Sequence, residues 1–113
     1  MKISDLRQRV TFQKRPLQTG DEYGVEEGDF ADVFTVWARI KPLKGGEEVL
    51  ASRLTGVQPV IISVRYSRRT RDIDPAWRAR DETGRYYNIT AAANTDEHRE
   101  FVDILARSGT ATG

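Results

Sequence analysis

Val60-Ile61-Ile62-Ser63-Val64-Arg65-Tyr66 sets Val60, Ile62, Val64 and Tyr66 on one side of an extended chain, and Ile61, Ser63 and Arg65 on the other. Side chains alternate across a strand, so this pattern predicts a central, well-buried strand from Gln58 to Tyr66. The same period of two runs from Val33 to Lys41. There Phe34, Val36, Ala38 and Ile40 share a face opposite Thr35, Trp37, Arg39 and Lys41, until Pro42 removes a ladder donor and ends the strand. Upstream, Arg9-Val10-Thr11-Phe12-Gln13 predicts a first strand that buries Val10 and Phe12. Downstream, Ala76-Trp77-Arg78-Ala79-Arg80 and the stretch from Arg85 to Ala91 flank Asp81-Glu82-Thr83-Gly84. That four-residue turn, with glycine available for a positive φ, predicts a hairpin. Phe101, Val102, Ile104 and Leu105 predict a closing strand, because no nearby residue would cap a helix well.

The connections between these strands differ in kind. Residues 14–29 contain Pro16, Gly20, Gly24 and Gly28 and predict an exposed, mobile loop. In residues 44–57, Gly45-Gly46 precedes Glu47-Glu48-Val49-Leu50-Ala51-Ser52-Arg53-Leu54, where Leu50 and Leu54 are four apart, as are Val49 and Arg53. That spacing allows one short amphipathic helix, although two turns are marginal alone. At 113 residues the chain has room for a single domain, 1–113. Five or six short antiparallel strands joined by polar turns make it an all-β fold, a small barrel or sandwich with long loops.

Composition narrows the chemistry. The chain has no cysteine, which excludes disulfides, a thiol nucleophile and thiolate zinc sites. Its one histidine, His98, lies in a charged stretch with Asp96, Glu97 and Glu100 that lacks the ligand spacing of a calcium loop, so no metal is expected. Lys44-Gly45-Gly46 lacks the flanks of a phosphate loop, and Glu26-Glu27 and Glu47-Glu48 are adjacent pairs that would diverge on a strand. No catalytic residue and no cofactor are therefore expected. The N-terminus has no apolar core of a signal peptide, and the longest apolar run is Val60-Ile61-Ile62, so no membrane partner is expected either.

The net charge of +1 argues for no class of partner, but its distribution is uneven. Asp21, Glu22, Glu26, Glu27, Asp29 and Asp32 occur together without a Lys or Arg among them. From Arg65 to Arg80 the balance reverses, with Arg65, Arg68, Arg69, Arg71, Arg78 and Arg80 against Asp72 and Asp74. Segregation of this kind suits either two complementary surfaces or a pair of solvated loops, and Asp21, Glu22, Glu26, Glu27, Asp29, Asp32, Arg65, Arg68, Arg69 and Arg71 are the candidate subunit contacts. Trp37, Trp77, Tyr86 and Tyr87, interleaved with arginine, could instead form a single-strand nucleic-acid platform. Cover for core edges or subunit interfaces is the stronger reading of these aromatics.

Taken in order, these segments resemble the head-tail joining, or head-closure, proteins of tailed phages. The carriers are Leu6-Arg7-Gln8-Arg9-Val10-Thr11-Phe12-Gln13, Asp21-Glu22-Tyr23-Gly24, Val36-Trp37-Ala38-Arg39-Ile40-Lys41-Pro42-Leu43, the Val60-to-Tyr66 strand, Tyr87-Asn88-Ile89 and Asn94-Thr95-Asp96-Glu97-His98-Arg99. Thr95, where that family often has proline, and Ser67-Arg68-Arg69, where it often has Gly or Pro, are departures confined to loops. The resemblance implies a non-enzymatic stopper or adaptor of a phage, prophage or gene-transfer particle, assembled in the host bacterial cytoplasm and placed at the head-tail interface of the virion. It implies a homo-oligomeric ring, six- or twelve-fold, with the portal or an adaptor above, a tail terminator or tail tube below, and packaged DNA passing through. Residues Gly45, Gly46, Glu47, Glu48, Val49, Leu50, Arg53 and Leu54 are then the candidate channel loop, with a short helix plugging one barrel end as the alternative for the same segment. A tail-completion or tail-terminator ring protein is the nearest alternative, and a nucleic-acid-binding barrel is a more distant one.

Overall fold

In the computed structural model the described residues are 2–15, 17–21, 24–27, 30–46, 54, 56–91, 93–95 and 98–109, with side chains described outside 17–21 and 24–27. Among the described residues nine strands follow one another: β1 Gln8–Lys14, β2 Leu17–Asp21, β3 Gly24–Glu27, β4 Ala31–Pro42, β5 Gln58–Arg65, β6 Arg78–Asp81, β7 Tyr86–Ile89, β8 Asn94–Thr95 and β9 Phe101–Ser108. All pairings are antiparallel. The order β5-β4-β1-β6-β7-β9 closes through a further β5–β9 pairing into a six-stranded barrel, and β8 adds a short seventh strand to β9. Closure pairs strand edges that an open sheet would expose.

Each predicted strand is present, with the predicted face inward. Val10, Phe12, Phe34, Ala38, Val60, Ile62, Val64, Ala79, Tyr87, Ile89, Val102, Ile104 and Ala106 fill the barrel, with Ile73 among them. Burying side chains of the size of Val, Ile or Phe contributes about 1.5–3 kcal/mol each, which makes this interior the main source of stability. Pro42 ends β4 as the sequence predicts, opposite Val60. A register shift between Phe12 and Gln13 leaves Val33 without an opposite residue on β1, a bulge that bends the start of β4. One barrel end is covered by the crossover from β5 to β6, which buries Thr70 and Ile73 to within 1%. Thr70 donates to the Arg65 carbonyl at 2.9 Å and accepts from the Ser67 amide at 2.8 Å, while Ala93 N–H donates to the Ile73 carbonyl.

Residues 14–29 depart from the predicted loop. Leu17–Asp21 and Gly24–Glu27 pair with each other as a separate two-stranded ribbon that extends the β1–β4 hairpin. Turn residues and acids hide these strands in the sequence, because they interrupt the apolar alternation by which a strand is read. Two residues of the charged stretch, Asn94 and Thr95, form β8. For the predicted short helix, residues 47–53 lie outside the described residues; of its apolar positions, Leu54 is described and is 89% exposed. No helix among the described residues is long and apolar enough to cross a membrane.

Candidate functional site

The two charge groups meet the structure in different ways. Asp32, at the start of β4, accepts from Gln13 Nε2 at 2.6 Å and from Arg80 Nη2 of the same chain at 3.4 Å. The Gln13 hydrogen bond, with Arg80 and Arg78 adding to it, holds the Asp32 carboxyl below its ordinary value against the cost of burial. Gln13 is buried and also accepts from Arg78 Nε at 2.9 Å. Arg78 in turn stacks between Phe30 at 4.0 Å and Tyr86 at 4.1 Å. Asp32, Arg78 and Arg80 thus hold the root of the ribbon within one subunit. Asp21, Glu26 and Glu27 belong to the ribbon strands, and Glu22 and Asp29 lie outside the described residues.

The remaining basic residues are presented outward. Arg65 ends β5, and Arg68, Arg69 and Arg71 follow it on the exposed surface of the crossover. Arg71 leans on the Tyr66 hydroxyl at 3.5 Å and lies 3.9 Å from Asp72. Among the described residues no acid pairs with Arg65, Arg68 or Arg69; Arg69 lies 5.7 Å above the Phe34 ring. Beneath them the crossover is pinned by Thr70 and by Tyr66 N–H, which donates to the Glu100 carbonyl at 2.9 Å. A serine and a threonine three apart, Ser67 and Thr70, are the sequence signal that could have shown this anchored turn.

Beside this surface runs an open groove of about 570 Å³, lined by Ile3, Leu6, Thr35, Val36, Trp37, Tyr66 and Ser67 together with Arg65 and Arg69. The short 3₁₀ turn Ile3–Asp5 forms one wall. Ile3 is 57% exposed and Trp37 is 51% exposed, the latter beneath the Arg9 guanidinium at 4.9 Å. Sequence reading placed Trp37 on the outward face of its strand but could not bring Ile3 to it from 34 positions away.

The four aromatics considered as a platform separate. Tyr87 is inside the barrel, Trp77 packs on Phe34 at 5.9 Å between centroids, Tyr86 stacks on Arg78, and Trp37 lies at the groove. Tyr87 O–H donates to Asp81 Oδ2 at 3.0 Å, and burial first, then this bond, pushes the phenol up to about 12. Among the described residues no group of acids and histidine is placed to hold a metal ion, and His98 is exposed.

A closed six-stranded barrel with a separate two-stranded ribbon, an anchored basic crossover and an apolar groove places the chain among small antiparallel β-barrel proteins. The chain belongs to the phage head completion protein family, whose sequence profile matches residues 1–109. Its role is accordingly that of a head-tail connector, a structural component of a phage-type particle. Protein SF1141 from Shigella flexneri 2a, solved in solution, is 28% identical over 98% of this chain and 99% of its own, with a TM-score of 0.68. A chain of the virion of a native gene transfer agent particle shares the fold at 22% identity, covering 92% of this chain and 96% of its own, with a TM-score of 0.62. A comparison with curated protein sequences gives no match.

Proposed function

We propose that the chain forms a homo-oligomeric ring under the portal that closes the filled head, extends the DNA channel and receives the tail. The observation that carries this reading is the family match across the whole barrel, supported by the likeness to a chain of a gene transfer agent virion. Assembly takes place in the host bacterial cytoplasm, with the portal or an adaptor on one side and a tail protein on the other. The barrel supplies a rigid block and leaves the chemistry to its neighbours. Deleting the gene is expected to yield filled heads and finished tails that do not join, counted by electron microscopy of lysates, with joining restored by adding the purified chain. Normal particles in the deletion strain would defeat the proposal.

Contacts between copies in this ring are charge-complementary, Asp21, Glu22, Glu26 and Glu27 of one subunit facing Arg65, Arg68, Arg69 and Arg71 of the next. A ring needs two different complementary patches on each subunit, and the chain carries one acidic and one basic. Surface ion pairs are weak singly, so they act on the rate and salt sensitivity of assembly more than on the fold.

The segment 44–57 is the part that approaches the channel. Its ends are the glycines Gly45, Gly46 and Gly56, all with positive φ, a backbone that lets the chain leave and rejoin the barrel sharply. Hydrogen exchange should show the amides from Glu47 to Leu54 better protected in the ring than in the free subunit. Equal protection in both states would remove this segment from the channel.

A further inference from the structure

The long strand β4 changes partners halfway. Ala38 to Pro42 pair with β5 on one edge, whereas Ala31 to Ala38 pair with β1 on the other. Among the described residues, Ala31 to Trp37 therefore have a partner strand on a single edge, and the other edge is free. That free edge opens into the groove. Thr35, Val36 and Trp37 all line it, and three consecutive residues of a strand alternate between faces, so the strand edge itself forms part of the wall.

Exposed edges are ordinarily blocked by lysine, proline or an inward charge, because unpaired N–H and C=O groups recruit another strand. Between Ala31 and Trp37 there is no lysine or proline, the one bulge sits near the start at Val33 and leaves Phe34 to Trp37 regular, and Val33 and Trp37 present apolar surface at 40% and 51% exposure. Arg65 and Arg69 line the same groove. The occupant that fits is an acidic strand with a free edge of its own. The ribbon is one: β2 pairs on one edge with β3, and the two strands carry Asp21, Glu26 and Glu27 over five and four residues, against seven on the open stretch of β4. The two edges are different surfaces on one subunit, so the contact is head-to-tail and repeats from copy to copy.

We infer that the free edge of β4 from Val33 to Trp37, with the groove of Ile3, Trp37 and Tyr66 beside it, takes the acidic β2–β3 ribbon of a second copy as an added strand. Main-chain hydrogen bonds hold the ribbon, and Arg65 and Arg69 select its charge. This rests on the ring proposed above and assigns the contact that builds it.

Two measurements test it. The chain has no native cysteine, so Thr35→Cys in one copy and Gln18→Cys in another can report proximity without background. Mixed under assembly conditions, they should form a disulfide-linked dimer, while Thr35→Cys with Asp103→Cys, on another wall of the barrel, should not. In parallel, Arg65→Glu with Arg69→Glu should weaken self-association about tenfold, as should Glu26→Lys with Glu27→Lys, and combining the two sets should restore it to within about threefold. If rings form at the head vertex and neither the Thr35–Gln18 link nor the charge rescue occurs, this contact is wrong and the ring stands. If the chain is missing from the vertex, the ring proposal itself fails. Cross-linking of the groove arginines to short duplex DNA, in place of the ribbon, would overturn the inference in favour of nucleic acid.

Discussion

Replacing Phe12 with alanine is expected to lower the unfolding free energy by about 3–5 kcal/mol, the range for removing a buried aromatic ring and leaving a cavity. Phe12 is fully buried on β1, a strand paired with both β4 and β6, and its ring lies 5.5 Å from that of Phe34, which continues to Trp77 at 5.9 Å. A closed barrel collapses poorly onto a void, since each wall is fixed by hydrogen bonds to the next. Domains of this size have about 5–15 kcal/mol in total, so the variant should unfold at much lower urea concentration with an unchanged m-value. Tryptophan fluorescence reads the transition. A loss below about 1 kcal/mol would mean that the barrel interior is not the main source of stability.

The second large effect is expected at the β6–β7 turn. Asp81 Oδ1 accepts from Thr83 N–H at 2.9 Å, Thr83 Oγ1 at 2.6 Å and Arg85 N–H at 3.0 Å, and Oδ2 accepts from Tyr87 O–H at 3.0 Å. Gly84, at φ 89°, closes the turn with its N–H on the Asp81 carbonyl. Burial pushes the carboxyl up, but the hydrogen bonds from Thr83, Arg85 and Tyr87 outweigh it and hold the group below its ordinary 3.8. A depressed carboxyl stabilises the fold above its unfolded value and loses that contribution as the pH falls through the folded value. Asp81→Ala should therefore cost about 2–3 kcal/mol at neutral pH, leaving the Tyr87 hydroxyl and three turn donors without their acceptor. The difference between wild type and Asp81→Ala should narrow once the pH drops below about 4. Urea titrations at neutral and acid pH check both, and a pH-independent difference would assign the effect to lost shape rather than charge.

The amino-acid sequence alone determined the six barrel strands, their inward faces and the all-β class, because period-two alternation is a local consequence of burying one side of an extended chain. The β6–β7 hairpin was legible for the same reason, since Asp81-Glu82-Thr83-Gly84 carries its own turn chemistry. Order and spacing of these segments also carried the resemblance to head-closure proteins. Other strands left no such trace. Residues 17–21 and 24–27 show no period-two apolar alternation, and β8 is two residues long. Barrel rather than sandwich was decided by the β5–β9 pairing, a contact about 40 residues apart in the chain that no local preference encodes. Tertiary structure likewise decided that Asp32 faces Arg80 within one subunit, which removes both from the charges free to meet a neighbour. It also carried Ile3 across to Trp37 and Tyr66, making a groove from residues that are ordinary apart. The physical reason is common to all three: long-range pairing follows from strand register and barrel closure, which only the complete set of strands specifies together.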